Sequence, residues 1–378
     1  MRNRGKKILF IFTAARSERA FHVGQFASLV RSGHSIFTIS DGDSEIGSWA
    51  LHNGVRHVTV PMKRDPNPGY DLYSLVKMVA AIKTTAPDLV IYGTPKAGLL
   101  GSLASFFLRV RTRVYVVHGL RYQSASGRRK QLLKFFEWLV CKLSTDVVAV
   151  GHGIAGTLEK ECRVTPRPTV LGYGSVKGVD SVRFRLPTSA ERRNAREQLK
   201  LSDEVHTLCF IGRISRDKGL RLFAPLMTQL RKSGNFRLIL IGGFEGDSTD
   251  EESFRELTAR DDVEYIGVVP NPEDYLAACD LLVMPSSREG LSTVILEAGA
   301  MGIPSVASDV DGVRELFFDP VVGRLVTSGE VGDWIPPILE LMDRRSTGSE
   351  LRDRVLERFD AVAVNARWVR YLDDLAGK

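Results

Sequence analysis

Apolar residues recur along this chain in two rhythms. Short, continuously apolar runs rich in β-branched residues stand at Ile8–Thr13, Ser35–Ser40, His57–Met62, Leu89–Gly93, Val114–His118 and Val147–Val150. Between them, apolar residues return every three to four positions over Arg19–Ser32, Leu72–Thr85, Ala97–Leu108 and Arg128–Leu143. Continuous runs predict strands buried on both faces. The helical period predicts the elements that cover them. The arrangement then repeats. Strands are predicted at Thr207–Ile211, Arg237–Ile241, Val263–Ile266, Leu281–Met284, Ser305–Ala307 and Arg324–Val326, and helices at Leu220–Lys232, Ser253–Ala259, Thr293–Ala300 and Val331–Met342. Alternation of this kind means α/β domains with parallel sheets.

With 378 residues the chain has room for two such domains in tandem. Gly172, Gly174, Gly178 and Pro187 interrupt the periodicity, so the break is expected within 172–187. That gives domains of 1–180 and 181–378. One more helix is expected over Val364–Leu375, and the pattern does not assign it to either domain; the final helix, about 364–376, is free to pack on the first. In open parallel sheets ligands bind beyond the carboxyl ends of the strands. Two doubly wound domains facing each other would make a cleft, and residues just after strands gain weight as site candidates.

Charge changes the picture. The net charge is +7, but residues 1–184 hold 27 Lys/Arg against 12 Asp/Glu, a balance of +15, and the remainder carries −8. Two halves of opposite sign imply different partners. The densest basic stretch runs from Arg109 to Lys142. It reads either as a solvated surface or as a face for an anionic partner: a membrane, a phosphorylated acceptor or a nucleic acid. Against nucleic acid, the aromatic residues Phe135, Phe136 and Trp138 fit the core face of a helix, and no recognition motif accompanies them.

Hydrophobic residues at 43% and charged residues at 26% exclude disorder and a collagen or coiled-coil rod as the main state. Four scattered cysteines, with no C-x-x-C, exclude a disulfide scaffold and a cysteine-rich zinc module, and fit a reducing compartment. The small apolar run Ala97–Leu108 falls well short of the ~20 residues of a membrane span. The basic start followed by Ile8–Ala15 reads as a first buried strand rather than a signal peptide, because a helical pattern follows at once. The expected location is cytoplasmic, with peripheral attachment to the inner face of the membrane as an extension.

Three elements could carry chemistry. Gly212-Arg213-Ile214-Ser215-Arg216-Asp217-Lys218-Gly219 follows an apolar strand and precedes a helix. Two cations and a helix start then converge beyond a strand end, which favours an anion such as a diphosphate. The alternative is an ordinary basic loop. Next comes Arg288-Glu289-Gly290-Leu291-Ser292, leading to Glu297. Ser292 or Thr293 is a candidate N-cap, and Gly290 admits close backbone approach. Glu289 and Glu297 could each hold a pair of sugar hydroxyls, or be an ordinary loop acid and helix acid. Third, His118 ends a strand and opens the loop Gly119-Leu120-Arg121. Its position raises it above the other histidines, though a structural role remains open.

Two other chemistries fail on spacing or context. Glu289 and Glu297 do not establish the flanking carboxylates of a glycoside hydrolase. Gly172-Tyr173-Gly174-Ser175-Val176-Lys177-Gly178 is one residue off the dinucleotide fingerprint and lacks its following helix. No H-E-x-x-H or His/Asp cluster suggests a metal, so none is expected.

Taken together these residues resemble the family 4 retaining glycosyltransferases of the GT-B fold. The resemblance covers nearly the whole chain and is strongest from Gly212 to Leu316. Its carriers are Gly212-Arg213…Lys218-Gly219, the E-x7-E element Glu289–Glu297, its continuation through Pro304, and Gly312-Val313-Arg314-Glu315-Leu316. Thr94-Pro95-Lys96-Ala97-Gly98, His118-Gly119-Leu120-Arg121 and Gly178-Val179-Asp180…Phe184 are similar to the branch that assembles bacterial surface polysaccharides and lipid-linked oligosaccharides.

The resemblance implies roles. Arg213 and Lys218, with the Gly290, Leu291 and Ser292 backbone, would bind the donor diphosphate. Glu289 would hold donor-sugar hydroxyls, Glu297 the ribose hydroxyls, and His118 would sit beside the donor sugar. The donor would be a nucleotide-sugar, a UDP-sugar on family habit. No essential metal or cofactor is implied. The acceptor would be a glycan or a polyprenyl-diphosphate-linked glycan at an anionic membrane surface. One departure stands out: where relatives carry a Gly-rich turn after the first strand, this chain has Thr13-Ala14-Ala15-Arg16-Ser17. Arg16 and Arg121 are the acceptor-side candidates, Arg16 equally readable as a solvent-facing residue. A soluble small-molecule acceptor, a sugar-nucleotide epimerase and a non-enzymatic binder of anionic polymers are the competing functions.

Overall fold

The computed structural model describes residues 5–21, 23–63, 66–343 and 348–377. The chain divides into two units: residues up to Gly178 with the segment from Ala361 onward, and Val179–Asp360.

In the first unit the elements run β1 (Lys7–Ile11), α1 (Ala15–Phe21), α2 (Val23–Arg31), β2 (Ser35–Ser40), α3 (Ile46–His52), β3 (Arg56–Thr59), α4 (Pro68–Thr85), β4 (Leu89–Tyr92), α5 (Pro95–Phe107), β5 (Thr112–Val117), α6 (Gly127–Leu143), β6 (Asp146–Ala149) and α7 (His152–Cys162). All neighbouring strands are parallel, in the order β3-β2-β1-β4-β5-β6. The central strands β1 and β4 are buried along almost their whole length, as continuous apolar runs require.

The second unit runs α8 (Ser189–Gln198), β7 (His206–Ile211), α9 (Leu220–Leu230), β8 (Phe236–Ile241), α10 (Ser248–Thr258), β9 (Val263–Gly267), α11 (Pro272–Leu276), β10 (Leu281–Met284), α12 (Thr293–Ala300), β11 (Ser305–Ser308), α13 (Asp311–Arg314), β12 (Gly323–Val326), α14 (Ile335–Asp343) and α15 (Gly348–Phe359). Its sheet, β12-β11-β10-β7-β8-β9, is also parallel and has the same winding. Each sheet reverses direction of winding once, between β1 and β4 in the first and between β7 and β10 in the second. These are the switch points where open α/β sheets receive ligands.

The last helix, α16 (Ala361–Gly377), belongs to the first unit. It lies along α2. A Cβ on Gly24 would fall 2.4 Å from Asn365 Nδ2, so the helices approach where the side chain is missing. The buried Trp368 indole donates to the Ser175 carbonyl at 3.0 Å. His34 accepts the Lys6 N–H on Nδ1, leaving Nε2 to donate to Asp373 at 2.6 Å.

Local differences from the sequence expectations have local causes. Over the described residues the helix expected at Arg19–Ser32 is present as α1 and α2, Ala15–Phe21 and Val23–Arg31. The strand expected over His57–Met62 stops at Thr59, because Pro61 has no N–H for the ladder and the Met62 N–H turns to the Asp41 carboxylate. α8 has too few apolar residues to show a period, yet a reciprocal capping box between Thr188 and Glu191 starts it. α3, α7 and α15 also lie outside the expected set. α15 buries only Leu351, Val355 and Phe359, one residue per turn in a charged sequence.

Candidate active site

At the second unit's switch point two loops become one structure. After β7, the Gly212 N–H donates to the Ile241 carbonyl, and a Cβ on Gly242 would fall 1.8 Å from the Gly212 oxygen. The chain then passes through a 3₁₀ turn over Arg216–Lys218 and reaches Gly219 in the left-handed region, φ +83°. A Cβ there would fall 2.4 Å from the Pro285 carbonyl oxygen, so Gly219 is required by conformation and by space. The loop after β10 locks on: the Ser287 N–H and hydroxyl both donate to the Asp217 carbonyl, at 2.9 and 3.1 Å.

The side chains form a charge network on this frame. Lys218 Nζ donates to Glu289 Oε1 at 2.6 Å, with both side chains largely covered, at 17% and 11% exposure. Asp217 accepts from the Ser215 hydroxyl at 2.6 Å, from Arg288 at 2.9 Å and from Arg213 at 3.3 Å. Arg213 also donates to Glu245 at 3.1 Å. Burial pushes the Asp217 carboxyl up, but the Ser215 hydroxyl and the charges of Arg213, Arg288 and Lys218 outweigh it and hold it below the usual carboxylate range. Ser286 Oγ and Arg288 Nε are buried beside the strand end with no hydrogen-bond partner among the described residues.

Two helices begin here, and among the described residues no side chain caps either. α9 starts from Gly219, and α12 from Ser292, whose buried hydroxyl makes no cap bond. Ser292 is thus the N-cap by position without the bond expected of one. Two helix N-termini and three cations around one strand-end loop suit an anion with several oxygens. Glu297 is the fifth residue of α12 and half-buried. Behind the Glu289–Gly290 turn, a Cβ on Gly312 would fall 1.3 Å from the Gly290 carbonyl oxygen. That contact explains a glycine at the start of α13.

In the first unit the corresponding switch-point loops are also joined. The Thr13 N–H donates to Thr94 Oγ1 at 2.9 Å, the two hydroxyls share a bond of 2.7 Å, and the Ala97 N–H donates to Thr13 Oγ1 at 3.2 Å. The loop without glycines is thereby pinned to the start of α5. His118 follows β5 and is half-buried; a Cβ on Gly93 would fall 2.6 Å from its Nε2, so the ring lies over the end of β4. Arg16 is exposed in the first turn of α1, and Arg121 is exposed in a 3₁₀ turn over Arg121–Ser124.

The structure thus brings Arg213, Lys218, Glu289, Gly290, Leu291 and Ser292 together around one loop pair, with Glu297 a turn further on. His118 lies beside the first unit's switch point, with Arg16 and Arg121 on the loops that follow β1 and β5. Sequence reasoning quoted Asp217 and Arg288 without giving them a role, and missed Glu245 and the Thr13–Thr94 pair. A carboxylate between Arg213 and Lys218 was the available signal for Asp217. Nothing local signals the threonines, which lie 81 residues apart. Among the described residues no three His, Cys, Asp or Glu side chains gather as metal ligands.

Two six-stranded Rossmann-like sheets with an anion-suited loop pair at a switch point define a GT-B glycosyltransferase scaffold. Comparison with known proteins agrees. A family model described as Glycosyltransferase Family 4 matches residues 24–175, and one described as Glycosyl transferases group 1 matches residues 205–344. The chain belongs to the glycosyltransferases that these two models describe. It is 29% identical to the capsular polysaccharide biosynthesis glycosyltransferase CapM of Staphylococcus aureus, over 95% of this chain and 94% of that protein. It is 23% identical to an Escherichia coli UDP-Gal:alpha-D-GlcNAc-diphosphoundecaprenol alpha-1,3-galactosyltransferase, over 82% of each. Among solved structures, Anabaena Alr3699/HepE in complex with UDP and glucose superposes with a TM-score of 0.79 at 21% identity, covering 97% of this chain and 99% of that one, which shows the shared fold.

Proposed function

We propose that this glycosyltransferase moves a sugar from a UDP-sugar, with retention at the anomeric carbon, to a polyprenyl-diphosphate-linked glycan during assembly of a bacterial surface polysaccharide. The observation that carries the reading is the Lys218–Glu289 pair, held between two uncapped helix starts at the switch point. The charge balance of the first unit and the names of CapM and of the E. coli lipid-linked galactosyltransferase support the acceptor class. The UDP in the Anabaena structure supports the base.

The chemistry follows from the side chains. Arg213 and Lys218, with the backbone of Gly290, Leu291 and Ser292, hold the diphosphate. As the bond from the anomeric carbon to the diphosphate oxygen breaks, negative charge grows on that oxygen, and these groups stabilise it without a metal. The acceptor hydroxyl oxygen bonds the anomeric carbon on the same face, and its proton passes to the departing diphosphate. Glu289 holds sugar hydroxyls and Glu297 the ribose hydroxyls. His118 steadies the sugar, and Arg16 and Arg121 meet the acceptor. The protein works from the cytoplasmic face of the membrane.

The test is transfer from radiolabelled UDP-sugars to lipid-linked and soluble acceptors, with and without chelator, and with product configuration read by NMR. A retained product on the lipid-linked acceptor, formed in chelator, is expected. Inversion, a soluble product only, or an epimerised donor with no transfer would each overturn the corresponding part.

A further inference from the structure

α6 turns apolar residues outward. Its inward face buries Val140 and Cys141. Leu132, Phe135 and Trp138 follow at intervals of three, which places them along one outer face, and they are 53%, 51% and 36% exposed. The Phe135 and Trp138 ring centroids are 5.9 Å apart. This is the reverse of the core face that the sequence pattern predicted for these aromatics. The neighbouring helix α5, packed along α6, ends in exposed Phe106 and Phe107.

The charges that α6 itself presents beside this face have one sign. Arg128, Arg129 and Lys130 occupy the first turn of α6, and Lys142 the last. The helix dipole disfavours cations in a first turn, so local helix stability does not explain the trio. The only acid in α6, Glu137, turns inward and accepts from the Tyr115 hydroxyl at 2.7 Å. Lys134 is taken up by Glu161. What faces solvent is an apolar strip framed by cations without a carboxylate of the helix. A second copy seated on this strip would set the same cation frame against itself.

We propose that the outer face of α6 docks on an anionic bilayer, with Leu132, Phe135 and Trp138 entering the boundary between headgroups and acyl chains and the exposed Arg128, Arg129 and Lys142 contacting anionic headgroups. The docking stands on this surface alone. Only its purpose, bringing the site to a lipid-linked acceptor, rests on the proposed function.

The test is flotation of the full chain with vesicles of phosphatidylcholine alone and of phosphatidylcholine mixed with phosphatidylglycerol. Binding to the mixed vesicles only is expected, weakening as salt is raised. Phe135→Ser/Trp138→Ser and Arg128→Gln/Arg129→Gln/Lys142→Gln should each lower partitioning at least ~tenfold. Both sets of positions are on the surface, so melting temperatures should stay near that of the parent. Equal binding to neutral vesicles, or full binding by both variants, overturns the proposal. So does a dimer in sedimentation that Phe135→Ser/Trp138→Ser dissociates, which would assign the face to a second copy. A chain that floats but transfers no sugar refutes the proposed function and leaves the docking intact; transfer to a detergent-dispersed acceptor without flotation refutes the docking alone.

Discussion

Removing the carboxylate of Glu289 should tighten UDP binding while slowing sugar transfer. In the free protein Lys218 Nζ is held by Glu289 at 2.6 Å, and a diphosphate that recruits this ammonium must share it or take it away. Charges at that distance attract by about 6 kcal/mol at an effective dielectric constant near 20, most of it offset by desolvation. A net coupling of about 1 kcal/mol remains for a partly covered pair, worth about fivefold in a dissociation constant. Glu289→Gln should therefore bind UDP several-fold more tightly, yet turn over UDP-sugar at least about tenfold more slowly, because a sugar-hydroxyl acceptor is lost. Lys218→Ala should weaken UDP about 10- to 150-fold, through the loss of a charge-assisted bond worth about 1.5–3 kcal/mol. Titration calorimetry with UDP, with folding checked by circular dichroism, measures both. Opposite signs on nucleotide binding with the same sign on turnover separate a working pair from a structural one. If Glu289→Gln weakens UDP as much as Lys218→Ala does, the pair serves the fold and the site assignment falls.

Other outcomes follow from the same structure. Gly312→Ala drives a methyl into the Gly290 carbonyl; it should cost about 1–3 kcal/mol of stability and cut turnover more than a neighbouring surface substitution, as melting curves and rates would show. Thr94→Val leaves the Thr13 N–H without its acceptor and should destabilise the first unit by about 1–3 kcal/mol in chemical denaturation. Asp217 is held below the ordinary carboxylate range, so it contributes stability that is present above the unfolded pKa near 3.9 and is lost as pH falls through its folded value. Asp217→Asn should flatten that acid limb, and an unchanged limb would show the carboxyl to be unperturbed. Glu137 behaves oppositely: burial raises its carboxyl to about 7, the Tyr115 hydroxyl pulling the other way. The folded chain then binds the extra proton between the ordinary glutamate value of 4.5 and about 7, so stability declines as pH rises through that window, and Glu137→Gln should remove the decline.

The sequence by itself determined the architecture. Continuous apolar runs and a 3.6-residue period require no partner to be read, because burial on two faces and on one face leave different spacings. It also determined which short stretches carry chemistry, since Gly212–Gly219 and Arg288–Ser292 each follow a strand. Only the tertiary structure decided how they act. Strand order made β7 and β10 neighbours, and that brought Lys218 to Glu289 and Asp217 to Arg288 across about seventy residues. The same is true of Thr13 and Thr94, on the loops that follow β1 and β4, which replace the turn that glycines would have made. The outward face of α6 differs from the sequence expectation for a related reason: periodicity shows that a helix has an apolar side, but packing decides which side meets the sheet. There the inward positions went to Val140, Cys141 and the Tyr115-bound Glu137, and the larger aromatic strip was left to the surface.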